Sequence, residues 1–345
     1  MIKRFLNKRK AKKTVEETGG RITNDTVEAH REVILSKGRK FKYPLQYAKH
    51  KLVINTIIIG VLAIGAACVI GWVQYYKLQN TGTVAYRFSK YLRLPVAEVD
   101  GQTVLYSDYL MQYRSNTIAI ERQEGKLSNK DDAERQINYY KRMAMDNSIL
   151  NAYAIKLAKE YDIEVNRGRI DKVYGQHVAS GDNKVTESGF EKLIEDNFGL
   201  SIDEYRRMFI ELPLLRQDVS VRIDTKAKEL VKEVESALSK NGGNFENVAK
   251  RFSDKVFLEP SGGLVSVQNF DGGRAAEADK LKVGGISKPF LSTSGDGYYI
   301  VKLLKKEDRK VEYASLRIPL TELKNRIEQL KKDGKIKEYI TIKNE

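Results

Sequence analysis

Side chains able to do acid–base, nucleophilic or metal chemistry are few in this chain. Its 345 residues hold three histidines, His30, His50 and His177, and one cysteine, Cys68. No histidine lies in residues 224–345. A single cysteine excludes an intrachain disulfide. No metal-ligand cluster, phosphate loop or nucleophile–base pair is visible. One short stretch still has the look of a site: Ser294–Leu303, SGDGYYIVKL, reads as a glycine turn feeding a buried strand that carries Tyr299. Whether it is a working site or the shell of one depends on the elements around it.

The formal net charge is +15. Residues 1–51 hold 15 Lys/Arg against 5 Asp/Glu, so most of the excess sits in an N-terminal tail. That distribution points away from a folded nucleic-acid surface. The tail, 1–50, reads as disordered and basic, suited to anionic headgroups; no specific nucleic acid is expected. Leu52 to Tyr76 is free of charge. As a helix this run is about 38 Å long, enough for a hydrocarbon core of about 30 Å. Trp72, Tyr75 and Tyr76 suit one interface, and Lys49 and Lys51 the other. Six Lys/Arg and no acid in residues 37–51, against three Lys/Arg in 77–91, put the N-terminus in the cytoplasm and residues 77–345 outside. A cleaved signal would have a shorter polar start and a shorter apolar core. Cys68, after Gly65-Ala66-Ala67, reads as a packing residue, because the apolar run continues to Val73.

Residues 77–94 read as a tether. In VAEVDGQTVLYSDYL, Asp100-Gly101 predicts a hairpin, and Ser107 is placed to cap a helix carrying Leu110, Tyr113, Thr117 and Ile120. A long helical run follows over Asp131–Tyr161, with a break expected near Asp146-Asn147-Ser148. Asn166 can cap a short helix. Phe190, Leu193, Ile194 and Phe198 share a face that Gly199 ends. Ser201 and Glu204 form a capping box, and Pro213 should kink or break the helix after it.

In the second half Thr225 is placed to cap a helix with Ala227, Leu230, Val231, Val234 and Leu238. Phe245, Val248, Ala249 and Phe252 follow on one helical face. SGGLVSV, LKVGGISKPF and GYYIVKLL come next, then KVEYASLRIPL at 310–320 and a helix with Leu323, Ile327 and Leu330.

This layout resembles the SurA-, PrsA- and PpiD-type foldases. VAEVDGQTVLYSDYLMQY and FEKLIEDNFGLSIDEYRRMFIELPLLRQDV carry the resemblance to their helical chaperone region over residues 95–223. Phe245–Ser253, Gly262-Gly263-Leu264, Leu281–Pro289 and Gly297–Val301 are similar, in order, to the parvulin prolyl-isomerase domain, here 224–308, with 309–345 as a C-terminal strand and helix. The implied fold is α+β: one transmembrane helix over 51–76, a mostly helical domain, then a small domain with an antiparallel-rich sheet. The resemblance implies contact with extended polypeptide at Phe252, Leu264, Phe290 and Tyr299, and no cofactor. It also shows departures. Tyr299 stands where the second family histidine would be, and Lys255 where a cysteine or aspartate is expected. Asp279 aligns near the pocket phenylalanine. The first parvulin strand has no room between Val221 and Thr225. Either 310–320 replaces it, bringing Ser315 to the first histidine's place, or it is a plain C-terminal strand. Three hydroxyls, Tyr299, Ser315 and Ser253, are then the candidate catalytic groups.

Four functions are compatible with this reading. The first is a membrane-anchored extracytoplasmic folding factor with weak or no isomerase activity. The others are an isomerase with a variant site, an envelope scaffold, and a polyanion binder acting through the tail. The first is favoured, because a carboxylate in the apolar cup would carry a desolvation cost of a few kcal/mol.

Overall fold

Asp100 and Gly101 both take positive φ, 47° and 81°, as a two-residue hairpin turn requires. They join β1 (Pro95–Val99) to β2 (Gln102–Leu105) in antiparallel register, as the Asp-Gly pair predicts. The computed structural model describes residues 24–42, 44–123, 130–179, 186–269 and 271–343. The chain divides into two units, up to Tyr75 and from Tyr76 onward.

The first unit contains α1 (Asn24–Lys42) and α2 (Pro44–Trp72), the latter continuing into a π turn over Val73–Lys77. Residues 24–42, expected as disordered tail, are helical: no proline interrupts them, and Asp25 sits in the first turn, where the helix dipole favours it. Residues 44–50 are helical too, as the start of α2, and the rest of that expectation, on 1–23 and 43, lies outside the described residues. His50–Lys77 is one helix of 28 residues, long and apolar enough to cross a membrane.

The second unit opens on a departure. The expected tether contains α3 (Thr83–Leu92), which buries Ala85, Tyr86 and Ser89. Tyr86 donates to Glu204 at 2.5 Å, and Lys90 pairs with the same carboxylate at 2.6 Å. Glu204 also completes the predicted capping box with Ser201. α4 (Tyr106–Gln123) and α5 (Lys130–Glu160) follow. α5 runs unbroken through Asp146-Asn147-Ser148, because Met145, Ser148 and Ile149 are buried there and packing outweighs low local propensity. α6 (Arg167–Ala179) starts after Asn166, whose side chain accepts from Gly168 N, and α7 (Glu187–Phe198) ends at Gly199 with φ 64°. α8 (Ile202–Tyr205) passes through a π turn, Arg206–Glu211, into α9 (Leu212–Ile223). The π turn sits just before Pro213, which has no N–H to give the ladder.

Asp224, rather than Thr225, caps α10 (Thr225–Lys240), through Ala227 N. α11 (Phe245–Arg251) is capped by Asn244. Then come β3 (Phe257–Pro260), β4 (Val265–Ser266), α12 (Arg274–Asp279), β5 (Phe290–Leu291), β6 (Gly297–Glu307) and β7 (Lys310–Pro319). All pairings in this sheet are antiparallel, in the order β3-β7-β6-β5, with β4 also on β7. Residues 310–319 thus lie inside the sheet, between β3 and β6. One face packs Ile300, Leu316 and Ile318 against Val231, Val234 and Val248 of α10 and α11. The other packs Val301, Leu303, Val311 and Tyr313 against Ala275 and Ala278 of α12.

The chain then returns. α13 (Glu322–Lys332) packs on α5 and α9, and β8 (Ile336–Glu338) pairs with β1. The segment 309–345, read as one piece in sequence, is divided near Leu320. Its strand serves the five-stranded sheet, and its helix and last strand serve the helical half. Hydrophobic alternation marks a strand but does not say which sheet edge receives it.

Candidate functional site

Paired residues on neighbouring strands present side chains to the same face. One such row crosses four strands: Phe257 with Arg317, Arg317 with Tyr299, Tyr299 with Phe290. The adjacent row pairs Glu259 with Ser315 and Ser315 with Val301. Tyr299 and Ser315 therefore share one face, two of the three hydroxyls that the sequence singled out.

Neither is available as a free hydroxyl. Tyr299 is 2% exposed, and its phenol donates to Asp296 Oδ2 at 2.6 Å. Burial, reinforced by that bond, pushes its pKa well above the usual tyrosine value. Ser315 is fully buried and donates to the Glu259 carbonyl at 2.8 Å. Ser253 is exposed in the turn after α11, away from both.

Sequence reasoning did not foresee the charged groups around them. Glu259 accepts from Arg317 Nε at 2.6 Å and from Arg274 Nη1 at 2.7 Å. The Arg317 guanidinium lies 4.9 Å from the Phe257 ring, and that of Arg274 lies 4.9 Å from the Tyr299 ring. Tyr299 in turn stacks on Phe290, with centroids 6.2 Å apart. The result is a ladder of three ions flanked by rings: Phe257, then Arg317, Glu259 and Arg274, then Tyr299 and Phe290. Beside it, Asp271 accepts from Tyr313 at 2.7 Å and from Ala275 N at 3.0 Å. The strand period could have placed Arg317 beside Ser315, two residues away. Nothing in the sequence marks Arg274.

Of the four polypeptide-contact candidates, Tyr299 and Phe290 belong to this ladder. Phe252 packs on the cluster under the opposite face, with Ile300 and Leu316. Leu264 is half-buried in the loop before β4. Lys255 is exposed. Asp279 does not join the ladder: it pairs with Lys306 at 2.8 Å, and Lys306 lies seven residues along β6 from Tyr299. The charged groups on this face include Arg274, Arg317, Glu259, Asp296 and Asp271.

Among the described residues no group of His, Cys, Asp and Glu could hold a metal ion. His177 lies in the helical half, with Nδ1 2.9 Å from the Tyr205 hydroxyl, and burial lowers its pKa. A groove of about 850 Å³ in that half is lined by Tyr86, Arg114, Glu191, Leu200, Ile202 and Glu204 among others. It does not include Tyr299 or Ser315.

Comparison with protein families matches residues 45–217, half of the chain, to the SurA-like N-terminal domain. The chain belongs to the SurA-like family. Residues 213–305 match the PPIC-type PPIase domain, which completes a SurA/PrsA/PpiD-type foldase architecture. Comparison with curated proteins finds no match. In this SurA-like chain the PPIC-type match begins in α9, a helix, and ends before β7. The strand between β3 and β6 comes from outside the matched segment.

Proposed function

We propose that this SurA-like protein is a membrane-anchored folding factor that binds extended polypeptide outside the membrane and does not isomerise prolyl bonds. The observation that carries this reading is the filled site. Isomerisation asks for an apolar cup around the proline ring and for polar groups free to act on the amide. Here Tyr299 and Ser315 are buried and committed to Asp296 and to the Glu259 carbonyl. The surface above them is an ion-pair ladder. Seating a proline ring there would strip water from Glu259, Arg274 and Arg317 with nothing polar in return, at a cost of a few kcal/mol.

The apolar helix His50–Lys77 supports a single-pass anchor, and the flanking charge supports an N-terminus in the cytoplasm. The interior place of 310–319 supports the reading that this strand stands in for the absent first parvulin strand, with the inserted module running from Asp224 to about Leu320.

The test uses the full chain in detergent. A proline-peptide isomerisation assay is run beside suppression of aggregation of a chemically unfolded client. Isomerisation at the uncatalysed rate with suppression near stoichiometric amounts is expected. Catalysis well above background would overturn the non-enzymatic reading, and failure to suppress aggregation would overturn the folding role.

A further inference from the structure

Helix α3 carries two apolar faces, and only one is covered. Ala85, Tyr86 and Ser89 are buried. Val84, Phe88, Tyr91 and Leu92 are 69%, 60%, 86% and 58% exposed. At 100° per residue these four fall on one arc of about 100°, beside the covered arc of Ala85, Ser89 and Tyr86. Arg87 borders that arc. From Lys77 through Ala97 the chain holds four basic residues, Lys77, Arg87, Lys90 and Arg93, and no acid. A contiguous apolar arc of this kind on a solvated helix marks an interaction surface.

Covalent connection selects the partner. The apolar helix ends at Lys77 and α3 begins at Thr83. The six residue steps between them span at most about 22 Å even when fully extended. With the preceding helix in a bilayer, α3 is therefore held within reach of the headgroups. A basic helix with aromatic and aliphatic residues on its free face has the chemistry of an interfacial helix.

We infer that α3 lies in the outer membrane–water interface, with Val84, Phe88, Tyr91 and Leu92 in the acyl boundary and Arg87 among lipid phosphates. This rests on the anchor reading. It adds that the folded part does not hang on a free tether: the capping-box carboxylate of Glu204, bonded to Tyr86 and Lys90, ties the helical half to a membrane-seated helix. The groove next to α3 is then held close to the bilayer surface.

The experiment is site-directed labelling of the full chain in liposomes of phosphatidylcholine with phosphatidylglycerol. Cys68→Ala removes the native thiol, and an environment-sensitive fluorophore is placed by Phe88→Cys or, as a solvent-facing reference, by Leu304→Cys. The expected result is blue-shifted emission at position 88 with quenching by lipid spin-labelled near the headgroup, and water-like, unquenched emission at 304. Water-like emission at 88 in protein that resists alkaline extraction would overturn the interfacial helix and leave the anchor intact. Release by alkaline extraction would overturn the anchor itself. Protection at 88 that rises with protein-to-lipid ratio, without lipid quenching, would assign the face to a second copy. Protection that appears only with added unfolded client would assign it to polypeptide. Either result overturns the proposal.

Discussion

Glu259 carries two guanidinium groups at once, and that explains why the site is closed. Each of its oxygens has its own arginine, and each arginine lies over a ring, so six side chains hold one another in place. Tyr299 sits between Arg274 and Phe290 with its phenol neutral. Its pKa in the folded protein lies above the ordinary value of 10.0, so the folded state keeps the proton longer than the unfolded state does. Stability from this group is fully present below pH 10 and is lost as pH rises beyond it. Tyr86, Tyr109 and Tyr313 are raised in the same sense. We expect urea midpoints to be level through neutral pH and to fall above pH 10. Tyr299→Phe should flatten part of that fall and cost about 1 kcal/mol at pH 7 through the lost bond to Asp296. An unchanged alkaline slope in the variant would show that the phenol is not held as described.

At the scale of elements, the junction at Asp224 matters most. Oδ1 accepts from Ala227 N at the start of α10, and Oδ2 accepts from Thr321 N and Glu322 N at the start of α13. One carboxylate caps two helices, where the chain enters the inserted module and where it leaves. A lost cap typically costs about 1 kcal/mol. Asp224→Ala should therefore cost about 2 kcal/mol in denaturant unfolding. Asp224→Asn, which keeps one acceptor oxygen, should cost about half of that. Equal losses in the two variants would mean that a single acceptor oxygen at this position caps neither helix.

The same junction shapes the whole molecule. Entry and exit of the module lie one hydrogen bond apart, 2.8 Å from Asp224 Oδ2 to Thr321 N. The helical half is closed without the module: α13 packs on α5 and α9, β8 pairs with β1, and Arg142 pairs with Glu338. Replacing residues 225–320 with a short glycine linker should leave that half folded. Amide exchange should remain slow at Val96–Val99 and Ile336–Glu338, and aggregation suppression should persist. Fast exchange in those strands would show that the module supports the helical half instead of being inserted into it.

The local features of this protein are legible in its sequence because each is decided within a few residues. The Asp100-Gly101 turn, the Ser201–Glu204 box, the Gly199 stop and the apolar run ending near Tyr76 need only their neighbours. Gly297 belongs with them in part. It is small because a Cβ there would lie 2.4 Å from the Ile318 carbonyl oxygen, a contact across two strands that its sequence does not announce. Two expectations failed where packing overrode propensity: α5 passes through Asp146-Asn147-Ser148, and α3 stands where a tether was expected. The candidate site was half legible. Tyr299 and Ser315 were named and lie on one face, while Asp279, which aligns near the pocket phenylalanine, pairs with Lys306. Glu259 and Arg317 were missed because their meaning depends on β7 lying between β3 and β6. The amino-acid order by itself determined the membrane-length helix, the Ser201–Glu204 box, the Gly199 stop, the hairpin and the lack of histidine after residue 223. The Thr225 and Ser107 caps did not hold: Asp224 caps α10, and Ser107 lies inside α4. Only the tertiary structure decided that residues more than fifty apart, Glu259 and Arg317 or Asp224 and Thr321, meet. Pairing across such distances is set by which sheet edge and which helix end remain open once the local elements have formed.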